Sequence, residues 1–157
     1  MDEKRREVLE TGGGLTLLAL VAAAGWLTPG DARAVDWNKA AFETKSLDET
    51  VKAVGGSTAV PSKDITFFAT PDIAENGAVV PVGVTSAIPM TESIAILIEK
   101  NPNMMAAMFA IPQGTDPSIS TRVKMGQSSN VYALVKANGN FYFASKEIKV
   151  TLGGCGG

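Results

Sequence analysis

The side chain in this sequence with the widest chemical reach is its only thiol, Cys155, set in the terminal run Gly153-Gly154-Cys155-Gly156-Gly157. A thiolate is a nucleophile that forms reversible covalent bonds to sulfur, and a cysteine at an accessible tip is open to that chemistry. Glycines on both sides remove every side chain that could bulk or fix the segment. Ordering it would cost on the order of 1 to 2 kcal/mol per residue with nothing buried in return. At about 3.5 Å per extended residue the thiol lies roughly 10 Å beyond Leu152, enough to enter a cleft in another protein while the body of the chain stays outside. The spacing therefore predicts a slender, flexible arm over residues 153–157 with Cys155 as its reactive group. A frayed end, or a cysteine that serves only as an intermolecular disulfide staple, is the alternative.

What the rest of the composition withholds sharpens this reading. The chain has 157 residues and no histidine, which removes Ser-His-Asp and Cys-His nucleophile pairs, histidine metal sites and imidazole acid/base chemistry. A single cysteine removes Cys-rich zinc sites and any internal disulfide. Sixteen acidic against fourteen basic side chains leave a formal charge of −2, with no basic field for nucleic acid. These exclusions favour a binder or carrier over an enzyme, and no resident cofactor or metal is expected.

Something must carry the arm, and something must deliver the chain to its compartment. Lys4, Arg5 and Arg6 precede an uncharged stretch, Leu15 to Leu27, that is shorter than the roughly 20 residues a bilayer span needs. Pro29, Gly30 and then Ala32-Arg33-Ala34 follow, an A-x-A-like site, so residues 1–34 read as a signal peptide cleaved after Ala34. The mature chain then has 157 − 34 = 123 residues. Arg5-Arg6-Glu7-Val8-Leu9 resembles a twin-arginine motif, departing from it at Val8, where an aromatic is common, and at Glu10, where a lysine is. The chain is therefore expected in the periplasm.

Residues 35–152 read as one domain. Ser46-Leu47-Asp48-Glu49 forms a capping box, Leu47, Val51 and Val54 recur on one helical face, and Gly55-Gly56 ends the segment, so a short helix is predicted there. From Asp64 onward the texture changes to short β-branched and aromatic runs punctuated by Pro, Gly and Asn. Seven strands are predicted: Ile65 to Ala69, Ala78 to Thr85, Ser93 to Glu99, Met105 to Ile111, Ile119 to Met125, Asn130 to Ala137 and Phe141 to Leu152. Asn138-Gly139 between the last two calls for a type I′ hairpin. The expected fold is all-β, an immunoglobulin-like antiparallel sandwich of about seven strands with a short N-terminal helix, or failing that a barrel. Ser93 to Glu99 and Met104 to Ile111 are apolar on both faces, so either the helix or a second protein must cover one of them. Met104, Met105 and Met108 suit core filling better than Cu(I) ligation in a chain without histidine.

The terminal Gly-Gly-Cys-Gly-Gly occurs with Asp72-Ile73-Ala74-Glu75-Asn76-Gly77, Ile96-Leu97-Ile98-Glu99-Lys100-Asn101-Pro102 and Ser120-Thr121-Arg122-Val123-Lys124-Met125. Together these resemble the SoxY family, the sulfur carriers of the periplasmic Sox thiosulfate-oxidising system. The resemblance implies that Cys155 is the covalent attachment site and that Gly153, Gly154, Gly156 and Gly157 form a swinging arm. It also implies a heterodimer with a SoxZ-like subunit and transient visits to a SoxAX-like haem enzyme, a SoxB-like hydrolase and a sulfane dehydrogenase. Two other readings stand beside it. Gly156-Gly157 is similar to the terminus of ubiquitin-like sulfur carriers, whose carboxylate is adenylated in the cytoplasm, and the domain could be a structural immunoglobulin-like module that its cysteine merely dimerises.

The processing site gives a first test. N-terminal sequencing of the native protein should begin at Val35, and replacing Arg5 and Arg6 with lysine should block export. A mature chain retaining Leu15 to Leu27, or undiminished export of the lysine variant, would contradict the signal and its route respectively.

Overall fold

The computed structural model describes residues 38–152, so the signal segment and residues 153–157 lie outside the described part. Two short helices, α1 (Lys39–Phe42) and α2 (Leu47–Ala53), precede nine strands. These are β1 (Ala59–Pro61), β2 (Ile65–Phe68), β3 (Ile73–Asn76), β4 (Val80–Ser86), β5 (Thr91–Ile98), β6 (Met105–Ala110), β7 (Ser118–Val123), β8 (Ser129–Ala137) and β9 (Asn140–Leu152). One sheet runs β1-β9-β8-β5-β6 with β3 also on β9, and the other runs β2-β4-β7. This is the expected sandwich, and no helix among the described residues is long and apolar enough to cross a membrane.

All seven strands read from periodicity are present, with ends displaced by one or two residues. The structure adds β1 and β3, both paired parallel to β9. Ala59-Val60-Pro61 and Ile73-Ala74-Glu75-Asn76 are too short, and too interrupted by proline and polar side chains, to show alternation. They are strands because the edge of β9 turned away from β8 has backbone groups to satisfy, met by β1 at Phe141 to Phe143 and by β3 from Lys149 to Leu152. The sandwich is thus antiparallel in its body and mixed along β9.

The turn between β8 and β9 has the conformation its residues allow: Asn138 and Gly139 hold φ of 49° and 71°, as a type I′ turn requires. Nine residue pairs run back from it, Ala137↔Asn140 to Ser129↔Ile148. Glu92 fastens the turn from β5, accepting from the Gly139 amide at 3.1 Å and pairing with Lys136 at 2.8 Å. Those two contacts, Lys136 first, hold the Glu92 carboxyl below the usual carboxylate range.

The predicted helix is α2. Ser46 Oγ accepts from the Glu49 amide at 3.3 Å, while the Glu49 carboxylate reaches back one residue further than a standard capping box and accepts from the Lys45 amide at 2.9 Å. At the other end Gly56 N–H donates to Val51 O at 2.8 Å and Gly55 N–H to Lys52 O at 3.1 Å, a Schellman closure with Gly55 at φ 89°. α1 was not anticipated; Asn38 caps it and also donates from its side chain to Ala53 O at 2.8 Å, binding the two helices together.

These helices settle how the doubly apolar strand is covered. Ile94, Ile96 and Ile98 of β5 face the second sheet, in one cluster with Val80, Val82, Val84, Val131, Val135 and Ile148. Ala95 and Leu97 face the other way, into a cluster with Ala41, Val51, Met104, Leu134 and Phe141 under the helices. Within the chain, then, the helix-covered reading holds for β5. Met104 and Met105 fill that helix-side core, at 2% and 3% exposed, whereas Met108 is 41% exposed at the sheet edge. Each large side chain so covered contributes about 1.5–3 kcal/mol.

Gly56 is the narrowest point of the helix seat, because a Cβ there would stand 2.6 Å from the Phe141 ring and 2.7 Å from Val51 Cγ1. Gly56→Ala should therefore lower thermal stability by about 1–3 kcal/mol through overpacking, read as a reduced midpoint in denaturant, whereas an unchanged midpoint would mean that the helix pair does not seat on Phe141.

Candidate functional site

Cys155 and its flanking Gly153, Gly154, Gly156 and Gly157 lie outside the described residues; the structure places the platform from which they leave. Leu152, the last residue of β9, is 71% exposed, so the chain leaves the sandwich at its surface. The residues just before it are held from two directions. β3 runs alongside in the register Ile73↔Lys149, Ala74↔Val150 and Asn76↔Leu152. The Lys149 amide donates to Asp72 O at 2.9 Å, Thr151 Oγ1 donates to Glu75 O at 2.9 Å, and the Gly77 amide donates to Leu152 O at 2.7 Å. The Ser128 hydroxyl accepts from the Val150 amide at 2.9 Å and lies 3.4 Å from Val150 O.

A cation secures β3 itself. Lys146 of β9 pairs with the Asp72 carboxylate at 3.1 Å and donates to Thr70 O, gripping the β2–β3 connection. Lys146 Nζ is thus the tertiary pin of a strand whose own sequence carries little β-propensity. None of Lys146, Ser128 or Thr151 was singled out by sequence reasoning, because a lone lysine or hydroxyl carries no spacing signal until a strand partner is known.

The three internal segments noted with the terminal motif converge at this end of the sandwich. Asp72 to Gly77 forms β3 and the turn that holds Leu152. Gly77 O accepts from the Met125 amide at 2.7 Å, which brings in the end of Ser120 to Met125. Asn101, from the Ile96 to Pro102 segment, donates to Lys124 O at 2.7 Å and accepts from the Gly126 amide at 3.1 Å. Between the last two segments runs a groove of about 520 Å³, with Asn101, Met105 and Ala107 on one wall and Arg122 and Lys124 on the other.

The described residues around this platform include no group of three or more side chains suited to hold a metal ion. Of the two titratable groups among the described residues that are clearly moved from their ordinary values, Glu92 of β5 is bound to the hairpin turn at the opposite end of the sheet. The other, Tyr132, sits within the large sheet, its hydroxyl pushed up by burial and then by the Glu99 charge. The platform can therefore aim a terminal segment and fix its origin.

Comparison with known proteins bears directly on this arrangement. The family model described as sulfur oxidation protein SoxY matches residues 51–155, a span that starts in α2, includes every strand and ends on Cys155. The solved structure of the sulfur carrier protein SoxY from Chlorobium limicola f thiosulfatophilum is similar at 37% identity and a TM-score of 0.61. It covers 68% of this chain and 96% of that one. A chain from a structure describing T cell specificity and activation by the bacterial superantigen toxic shock syndrome toxin-1 matches at 13% identity and a TM-score of 0.39, over 55% of this chain and 97% of that one. No curated protein matches. With a family match spanning most of the chain and a solved SoxY superimposing on its sandwich, the chain belongs to the SoxY family of sulfur oxidation proteins.

Proposed function

We propose that this chain is a covalent carrier of sulfur intermediates in periplasmic thiosulfate oxidation, with Cys155 as the attachment site. The observation that carries the reading is the junction at Leu152: a strand end bonded to β3 and Ser128, followed at once by a glycine-flanked thiol inside the family match. A firm origin and a slender tip suit a group that must enter the cleft of one enzyme after another.

The chemistry balances with this chain supplying only sulfur. Thiosulfate joins the Cys155 thiol through a new S–S bond, giving a cysteine S-thiosulfonate, one proton and two electrons, and a SoxAX-like haem enzyme takes the electrons. Water, delivered by a SoxB-like hydrolase, then cleaves the terminal sulfone as sulfate and leaves a persulfide on Cys155. A sulfane dehydrogenase can take six electrons from that remaining sulfur, with three waters supplying the oxygens of a new terminal sulfone and seven protons released, after which a second hydrolysis frees sulfate and returns the thiol. The carrier needs no resident cofactor for these steps, only the covalently held sulfur. A SoxZ-like subunit completes the carrier as a heterodimer, and the twin-arginine-like leader fits an export route that accepts folded complexes.

An exposed thiol of ordinary pKa, about 8.5, is only a few per cent ionised at neutral pH. The terminal run offers neither histidine nor cation, so the partner enzyme's pocket must supply the activation.

Cys155→Ser should abolish thiosulfate-dependent mass adducts and turnover with the partner enzymes while leaving the thermal midpoint unchanged. Gly154→Val keeps the thiol but should slow turnover, since a β-branched residue stiffens and widens the arm. Full activity in the serine variant would overturn the carrier reading. So would a chain whose only thiol-dependent change is a dimer mass abolished by reducing agent.

Lys146→Met tests the platform separately. Loss of a part-exposed ion pair should cost less than ~1 kcal/mol globally, yet faster amide exchange at Lys149 and Thr151 and slower turnover are expected. Unchanged exchange there would remove Lys146 from the positioning role.

A further inference from the structure

The groove near the end of β9 holds charge that nothing in the described structure answers. β6 and β7 are edge strands of the two sheets, and the groove of about 520 Å³ lies between them on the open flank of the sandwich. Arg122 and Lys124 are the charged residues of its lining, with no carboxylate beside them. Val123 between them turns into the inter-sheet core, so the two cations share the outward face. Both are exposed, and neither makes an ion pair with a described residue. The facing wall at Met105 and Ala107 is apolar, with a polarisable thioether. A ligand matched to both walls joins an apolar body to an anionic end.

The end of β9 brings such a ligand within reach. Gly77 N–H donates to Leu152 O and Gly77 O accepts from the Met125 amide, both at 2.7 Å. Two hydrogen bonds and one residue thus connect Leu152 O to Met125, which puts the Lys124 backbone no more than about 12 Å away. Arg122 stands two residues further along the groove, about 7 Å. Cys155 follows Leu152 by three residues, roughly 10 Å when extended. A thiosulfonate on it adds two sulfur–sulfur links of about 2 Å each. The loaded sulfur therefore spans the distance to Lys124, and the long side chains of both cations close the rest.

Resting on the carrier reading, we infer that this groove is the docking site for the load on the chain's own arm. The thiosulfonate on Cys155 lies with its linked sulfurs against Met105 and Ala107 and its terminal sulfonate between Arg122 and Lys124. Charge selects that occupant over the unloaded arm, because a thiol mostly protonated at neutral pH has no anion to offer. Glycines at 153, 154 and 156 let the backbone follow the groove with no side chain to clear. Docking shields the S–S bond from stray reductants between enzymes. Ion pairs at an exposed wall are weak enough for an enzyme cleft to draw the load away.

The test needs no partner enzyme, so its failure and that of the carrier reading are distinguishable. In the mature chain the Cys155 thiolate attacks an inner sulfur of tetrathionate, forming the thiosulfonate adduct and releasing thiosulfate, with no further oxidant. Methyl methanethiosulfonate gives a neutral control, a methyl disulfide, with methanesulfinate leaving. Reduction by a neutral phosphine then reads the exposure of each S–S bond. The thiosulfonate should be reduced about three- to tenfold more slowly in the native chain than in the double variant Arg122→Gln, Lys124→Gln, the range two exposed ion pairs allow. Salt at about 1 M should erase that difference. The methyl disulfide should react equally in both chains. Independently of the variant's stability, backbone amide shifts at Ala107, Arg122 and Lys124 in the native chain should move with the thiosulfonate and not with the methyl disulfide. Equal thiosulfonate rates, or amide shifts alike for both loads, would overturn the inference. So would protection that fades on dilution, since that assigns the load to the groove of a second copy.

Discussion

Nine successive pairs between β8 and β9 set the frame on which the rest of the molecule depends. Because side chains alternate across a strand, a slip of one residue would turn Phe141 and Phe143 away from the helix-side core and Tyr142 and Ile148 away from the inter-sheet core. The Asn138-Gly139 turn prevents that slip by allowing two residues in the left-handed region, and Glu92 anchors the turn to β5. Once this register is set, the point at which β9 leaves the sheet is set as well. So is the point from which the terminal thiol departs.

The centre of the large sheet follows from the same register. β5, with β8 on one side and β6 on the other, presents isoleucines to the second sheet and Ala95 and Leu97 to the helices. A strand buried on both faces needs two covers, and the short α1–α2 pair provides the second. The Thr44 and Thr50 hydroxyls meet at 2.7 Å beneath the helices, and the Met104 amide donates to Thr44 O at 2.8 Å, fastening this cover to the start of β6. The cover ends there, and Met108 and Ala110 beyond it remain open.

In a family defined by sulfur oxidation, this division between a rigid body and a terminal thiol has a simple mechanical sense. The sandwich provides a firm origin: β3, Ser128 and Lys146 spend their hydrogen bonds on the last residues of β9. In the proposed role, the reacting sulfur needs reach and a narrow cross-section more than local acid/base groups. The platform's polar groups are accordingly committed to backbone partners.

Much of this was legible in the primary structure. The Asn-Gly hairpin, the Ser46 cap, the Gly55-Gly56 closure and seven of the nine described strands are local consequences of residue type, since turn conformations and alternation act over a few neighbours. The terminal Gly-Gly-Cys-Gly-Gly was equally plain, because glycine spacing about a lone thiol needs no fold to be recognised. Tertiary structure alone decided three things: the parallel strands β1 and β3, the identity of Lys146, Thr151 and Ser128 as holders of the strand end, and which cover lies over each face of β5 and β6. Each depends on partners far apart in the chain, 76 residues in the case of Lys146 and Thr70. No local pattern encodes such a pairing, because a short polar strand or a single lysine acquires its role only from the backbone groups that folding brings beside it.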